Sequence, residues 1–158
     1  MKRGQDAPAT AGREAGATRM ALKLKFWLTR SNYGIVRLAP EAAVPEWALQ
    51  GEFTSVTRTR EELSIVCPIE NLPREVNSPH RWICLKLDGP FPFSQTGVLL
   101  SFIEPLSKNG IPIFAVSTFD TDYVFIQEEW SGAGLDFLRR AGHELQSGEE
   151  FWSKDIGF

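Results

Sequence analysis

The segment of this chain best suited to chemistry begins at Asp88 and ends at Val98 (DGPFPFSQTGV). An acid closes an apolar, strand-like run (WICLKL), a Gly/Pro-kinked loop follows, and a helical pattern starts within a few residues. The first N–H groups of a helix have no intrahelical partner, so the backbone around Gln95, Thr96, Gly97 and Val98 presents donors that attract a carboxylate or phosphate. Asp88 beside them can accept hydrogen bonds from an ammonium group. One pole for anions and one for cations suits the head group of a free amino acid. The same residues also read as a tight turn at Asp88-Gly89-Pro90 with Ser94 as a helix cap.

A second cluster, Thr118-Phe119-Asp120-Thr121-Asp122, is rich in acids and hydroxyls and lies between two β-branched, apolar runs. It reads as the elbow of a hairpin, positioned to approach a helix N-terminus, or simply as a solvated turn. Nucleophilic or acid–base catalysis has less support. His80 sits in a proline-rich stretch and His143 at a helix exit, both expected to be exposed or capping. Glu128-Glu129 and Glu149-Glu150 are surface pairs without the spacing of paired catalytic carboxylates. Neither a Walker A loop nor GxGxxG occurs. Two His and two Cys without ligand spacing argue against a metal, and no cofactor is expected.

The elements that must hold these segments show a repeat. Residues 53–67 (FTSVTRTREELSIVC) and 113–127 (IFAVSTFDTDYVFIQ) each write strand, acid-bearing elbow, strand, and align sixty positions apart. Each follows a polar residue and a glycine, Gln50-Gly51 and Asn109-Gly110, as at a helix end feeding a strand. The first elbow, Arg58-Thr59-Arg60-Glu61-Glu62, has exchanged much of the acid for arginine. Upstream, residues 22–28 (LKLKFWL) alternate like a half-buried strand, Ser31-Asn32 marks a turn, and residues 33–38 form a second strand. Leu99, Phe102, Ile103 and Leu106 make one apolar helical stripe, loosened at Pro105. Leu135 and Leu138 are the buried positions of another helix that Ser131 opens and Gly142 stops. From Trp82 the order is strand, helix, strand, strand, helix, strand, the ferredoxin-like βαββαβ of an α+β fold, with antiparallel sheets and helices on one face.

Composition sets the limits. The 158 residues carry 42% hydrophobic and 23% charged side chains, eleven Phe, five Trp and a net charge of −3. That is an ordinary globular composition, and it points away from nucleic acid and anionic membranes. No apolar run is long enough to span a bilayer, which with the absent signal peptide suggests the cytoplasm. Cys67 and Cys84 fall in apolar runs and are expected to be reduced core residues. Residues 1–19 hold almost no large apolar side chains and are expected to be disordered, with Met20 a candidate start.

The stretches ELSIVCPIE, LKLDGPFPFSQTGVLLSFIEPLSKNGIPIFAVSTFDTDYVFI and LDFLRRAGHEL resemble the small tandem ACT-domain proteins of bacteria. They are similar also to the ACT modules of the cytosolic arginine sensors of the TOR pathway. The resemblance implies a degenerate N-terminal ACT-like module at 20–80, a C-terminal ACT domain at 81–146 and a tail at 147–158. It implies amino-acid binding at a module interface. Asp88, Ser94, Gln95, Thr96, Gly97 and Val98 would grip the α-amino and α-carboxyl groups, and Thr118, Phe119, Asp120, Thr121 and Asp122 would face the ligand across the interface. Asp88, Asp120 and Asp122 hint at a cationic amino acid. The expected protein is a non-enzymatic sensor or regulatory subunit, working as a homodimer beside an enzyme or protein partner. Its rivals are a ligand-free interaction module, which an apolar tail at Phe151-Trp152 would favour, and a small enzyme on the same scaffold.

Overall fold

The computed structural model describes residues 22–147, so the readings made for the N-terminal tail and for the segment beyond Ser147 lie outside the described residues. Eight strands form one sheet: β1 (Lys25–Leu28), β2 (Tyr33–Leu38), β3 (Ser55–Arg58), β4 (Leu63–Pro68), β5 (Trp82–Leu87), β6 (Ile113–Ser117), β7 (Asp122–Gln127) and β8 (Glu144–Leu145). Two helices join them, α1 (Val98–Lys108) and α2 (Ser131–Arg140), with 3-10 turns at Glu46–Leu49, Ile69–Asn71 and Glu128–Trp130. From β5 onward the order is the βαββαβ that the hydrophobic periods predict.

Antiparallel pairing links β3 to β4 and β4 to β2 in one half, and β6 to β7 and β7 to β5 in the other. The halves meet where Tyr33 of β2 pairs with Trp82 of β5. The hairpins repeat, with their hydrogen bonds fifty-nine rather than sixty positions apart. Thr59 N–H bonds the Glu62 carbonyl at 2.9 Å, as Thr118 bonds Thr121 at 2.8 Å. Just past each hairpin, Ile69 N–H bonds the Asn32 carbonyl as Glu128 bonds Arg81, both at 2.8 Å, the donors again fifty-nine positions apart and the acceptors forty-nine. A four-residue 3-10 turn (Glu46–Leu49) stands in the first half where the eleven-residue α1 stands in the second.

The N-terminal strand departs from the expected arrangement. β1 runs antiparallel to β5 with Phe26 opposite Leu87 and Leu28 opposite Leu85, while β8 lies parallel on its other side. Tyr33 then meets Trp82 on the same edge of β5, so Ser31-Asn32 is a kink in one long path and not a reversal. Two residues more are used along residues 28–33 than along the β5 side, the signature of a bulged interruption. The Thr29 N–H holds it by bonding the Cys84 carbonyl at 3.0 Å.

Strand alternation divides the core into two faces. Ile83, Leu85, Leu87, Val124, Ile126, Leu24 and Phe26 face the helices and pack on Val98, Phe102, Leu106 and Leu138. Expected stripe residues Leu99 and Ile103 are only half-buried, because α1 turns its Val98–Phe102–Leu106 line to the sheet. Cys84 and Phe125 point to the helix-free face, where they join Tyr33, Phe53 and Val66 from the first half. The rings of Phe125 and Tyr33 lie 5.5 Å apart, and those of Phe53 and Tyr123 4.4 Å apart. In the first half Val36, Leu63, Ile65 and Cys67 close around Ala48 and Trp47. Both cysteines are free and buried, and burial pushes the Cys67 thiol up to about 11.

His143 is buried at 4% exposure, contrary to the exposed position expected for it. Its Nδ1 accepts the Leu24 N–H at 3.1 Å, which leaves Nε2 to donate to the Ser101 carbonyl at 3.0 Å. Pro105 explains the second bond. In α1 the residue four positions after Ser101 would normally donate to its carbonyl, and proline has no N–H to give. His143 fills the vacancy and ties α1 to the strand path that ends in β8.

Candidate functional site

The antiparallel neighbours β5 and β7 put the end of β5 and the start of β7 at the same end of the sheet. Loop 88–97 therefore packs directly on the elbow 118–121 of the same module. Phe91 N–H bonds the Asp120 carbonyl at 2.8 Å, and the buried Thr121 hydroxyl bonds the Leu87 carbonyl at 2.9 Å. Within the elbow the Thr118 hydroxyl donates to the Thr121 carbonyl at 3.0 Å and accepts its N–H at 3.3 Å. The Ser117 hydroxyl donates to Asp122, which is thereby engaged inside its own hairpin.

Gly89 is the point of closest approach. A Cβ there would stand 2.8 Å from the Asp120 backbone carbonyl oxygen and 3.0 Å from the Cβ of the buried Thr121 side chain, neither of which can easily yield. Gly89→Ala should separate loop from elbow and cost about 1–3 kcal/mol, the usual range for overpacking. Urea denaturation checks it; an unchanged midpoint would show that the two segments are not tightly docked.

The helix cap differs from the expected one. Neither Ser94 nor Thr96 caps α1; Gly97 does, at φ +80°, with no side chain bonded to the first-turn N–H groups. The left-handed φ is why a glycine stands there. Ser94, Gln95 and Thr96 are exposed, Gly97 is half-buried and Val98 begins the helix from inside the core. The eleven-residue helix thus offers uncapped donors and the positive end of its dipole beside the loop.

Asp88 points away from that pole. Its carboxylate accepts the Trp27 indole N–H at 3.4 Å, and Trp27 lies on the strand face opposite Phe26, which packs under the helices. The acid expected to flank the helix N-terminus is thus on the helix-free face, and Asp120 is the exposed carboxylate of the elbow. Sequence reading named Phe119 but missed its aromatic partner, Phe93. Phe93 and Phe119 are 78% and 79% exposed and meet edge-on with centroids 4.9 Å apart, across loop and elbow. A phenylalanine in the loop before a helix and another in a hairpin elbow, both among polar residues, were the available signal. Among the described residues, no three His, Cys, Asp or Glu side chains gather as a metal site, and no helix is long and apolar enough to cross a membrane.

A largely antiparallel open sheet with two helices on one face, and a β-strand-to-helix loop docked on a hairpin elbow, define an ACT module, a class of regulatory small-molecule-binding domains. The ACT domain family model matches residues 77–138, and a separate model describing an N-terminal domain matches residues 31–75. A solved protein from Agobacterium tumefaciens is 45% identical, with 80% of this chain and 94% of that one covered at a TM-score of 0.73. The chain belongs to the same family as that protein, and it carries an ACT domain over residues 77–138. A Vibrio cholerae protein of unknown function, described as a possible transport protein, is 18% identical over 77% of this chain and 91% of its own, at a TM-score of 0.62. A chain of the aspartokinase alpha and beta subunits is 16% identical over 76% and 98%, at a TM-score of 0.51. These last two share the fold.

Proposed function

We propose that this is a non-enzymatic regulatory protein that binds a free amino acid, or a small ligand of the same polarity, beside the start of α1. The observation that carries the reading is the docking of loop on elbow, which holds an uncapped helix N-terminus next to an exposed carboxylate. The ligand carboxylate would take the N–H groups of Gly97 and Val98 with Ser94, Gln95 and Thr96 around it, and its ammonium would face Asp120. Thr118, Thr121 and Asp122 shape the elbow, Phe119 covers the apolar part of the ligand, and Asp88 acts through Trp27.

The chain in this reading carries two ACT-like modules, the first degenerate, since its short helical turn has no comparable dipole. It works in the cytoplasm as a homodimer whose packing shifts with ligand and is read by an enzyme or other protein partner. A cationic amino acid is a weaker choice than the sequence suggested, because Asp88 and Asp122 already have partners. The exposed Phe93–Phe119 pair favours a second reading, a ligand-free interaction module.

A thermal-shift screen of the purified chain against the twenty amino acids tests this. A ligand that binds only the folded state raises the melting temperature, by about 2.7 kcal/mol of added stability at a hundredfold excess over Kd. The expected result is one responding ligand class, lost in Asp120→Lys while that variant melts normally without ligand. A flat response to all twenty would move the assignment to the interaction module.

A further inference from the structure

The docking of loop on elbow fixes a pair of aromatic rings as well as a helix start. Phe93 comes from one docked segment and Phe119 from the other, and the Phe91 N–H bond to the Asp120 carbonyl holds the segments together. The rings meet at 85° with centroids 4.9 Å apart, and both are more than three-quarters exposed. Across residues 89–103 and 109–121 Asp120 is the one charged residue, and it is exposed. Of the four charges that border these stretches, Asp88, Glu104 and Asp122 are acids, and Lys108 is paired with Glu104 at 2.7 Å at the far end of α1. We propose that this face docks a short segment of a partner protein in which a basic residue, Arg or Lys, stands beside an apolar one.

Aromatic side chains carry much of the energy where proteins meet, and rings held on docked backbone lose little freedom when a partner arrives. Charge selects the occupant. A second copy docking this face about a two-fold axis would set Asp120 against its own counterpart, with no cation in either stretch to separate the two. An anionic lipid surface meets the same repulsion. A basic side chain on a partner meets the opposite. An edge-on pair leaves ring faces uncovered, so the cation can lie against one phenylalanine face and pair with the Asp120 carboxylate. The apolar neighbour then covers the other ring, with Leu100 of the first turn of α1, 56% exposed, extending the apolar surface. This names the chemistry of the protein partner in the regulatory reading and rests on that reading for the partner alone, since it needs no amino acid bound. Phe93 takes no part in the amino-acid site, which separates the two.

Short random peptides displayed on phage, selected on the full chain at low salt without added amino acid, test the proposal. The enriched peptides should carry Arg or Lys within two positions of Leu, Ile, Phe or Trp. A synthetic copy of the most enriched one should bind Phe93→Ser at least about tenfold more weakly than wild type, the loss expected of an interface anchor. Binding to Asp120→Asn should be weaker and less sensitive to salt, because one charge pair is gone. Both side chains are exposed, so both variants should melt as the wild type does. Phe93→Ser should also keep the wild-type thermal response to amino acids, so that failure of the docking face and failure of the ligand site are told apart. Enriched peptides without a basic residue would overturn the proposal, as would binding that survives Phe93→Ser or no enrichment over a blank support. Self-association broken by Phe93→Ser would make a second copy the occupant instead, and retention on phosphatidylserine vesicles lost in the same variant would make it a membrane.

Discussion

Phe125→Ala is expected to cost about 3–5 kcal/mol, as large a loss as a single core truncation usually gives. Phe125 is fully buried on the helix-free face, where its ring meets Tyr33 at 5.5 Å, Phe53 at 5.4 Å and Phe114 at 6.1 Å. Tyr33 and Phe53 belong to the first half of the sheet and Phe114 to the second, so one ring joins both. Tyr33 and Phe114 are held in β2 and β6 and Phe53 in the segment leading into β3, and the cavity cannot collapse without moving them. Domains are stable by about 5–15 kcal/mol, so the loss is roughly a fifth or more of the total. Urea denaturation measures it. A cost below about 1.5 kcal/mol, the level of a volume-conserving swap, would mean that the halves do not share this cluster.

His143→Leu should be nearly as damaging, for a different reason. The substitution keeps an apolar bulk but strands the Leu24 N–H and the Ser101 carbonyl, and each buried group left unpaired costs about 1–3 kcal/mol. The wild type should also be acid-sensitive at this point. Burial lowers the pKa of His143, and its bond to the Ser101 carbonyl only partly opposes this. The unfolded chain, with an ordinary imidazole near 6.5, then binds a proton more readily than the folded one. The contribution is therefore complete above that value and declines as pH falls toward the folded pKa. Protonation also turns Nδ1 into a donor facing the Leu24 N–H. Urea midpoints at neutral pH and near pH 5 should separate for the wild type and come closer together in His143→Leu. Equal separation in both would assign the acid response to other groups.

The βαββαβ order was legible from Trp82 onward because each element there announces itself locally. Alternation writes WICLKL, a helical stripe writes 98–106, and positive-φ glycines end both helices at Gly110 and Gly142. The proximity of loop and elbow followed from that order alone. What escaped was pairing between distant segments. Nothing in LKLKFWL says that it will choose β5 and β8 over the strand that follows it. His143 looked like a surface residue because its need for burial arises from Pro105, whose missing N–H acts thirty-eight positions away in sequence. The orientation of Asp88 was recoverable. It has the parity of Cys84 and Lys86, and Leu87 is the residue that faces the helices. Strand parity carries one residue beyond the strand, and here the turn residue types obscured it.

The placement of β1 bears on where this protein can be divided. β8 has its backbone partner in β1 and not in β5, so the last strand of the ACT module can dock only after the first strand of the chain has taken its place. A fragment cut after residue 80 would expose the hydrogen-bonding edge of β5, leave β8 unpaired and uncover Leu85 and Leu87 where Phe26 now lies. The complementary fragment would carry β1 with neither of its neighbours. The matched stretch 77–138 is thus a unit of resemblance and not of assembly. β1 and β8, the first and last strands among the described residues, are bound into one cooperative closure, in which β1 supplies the seat and β8 locks it.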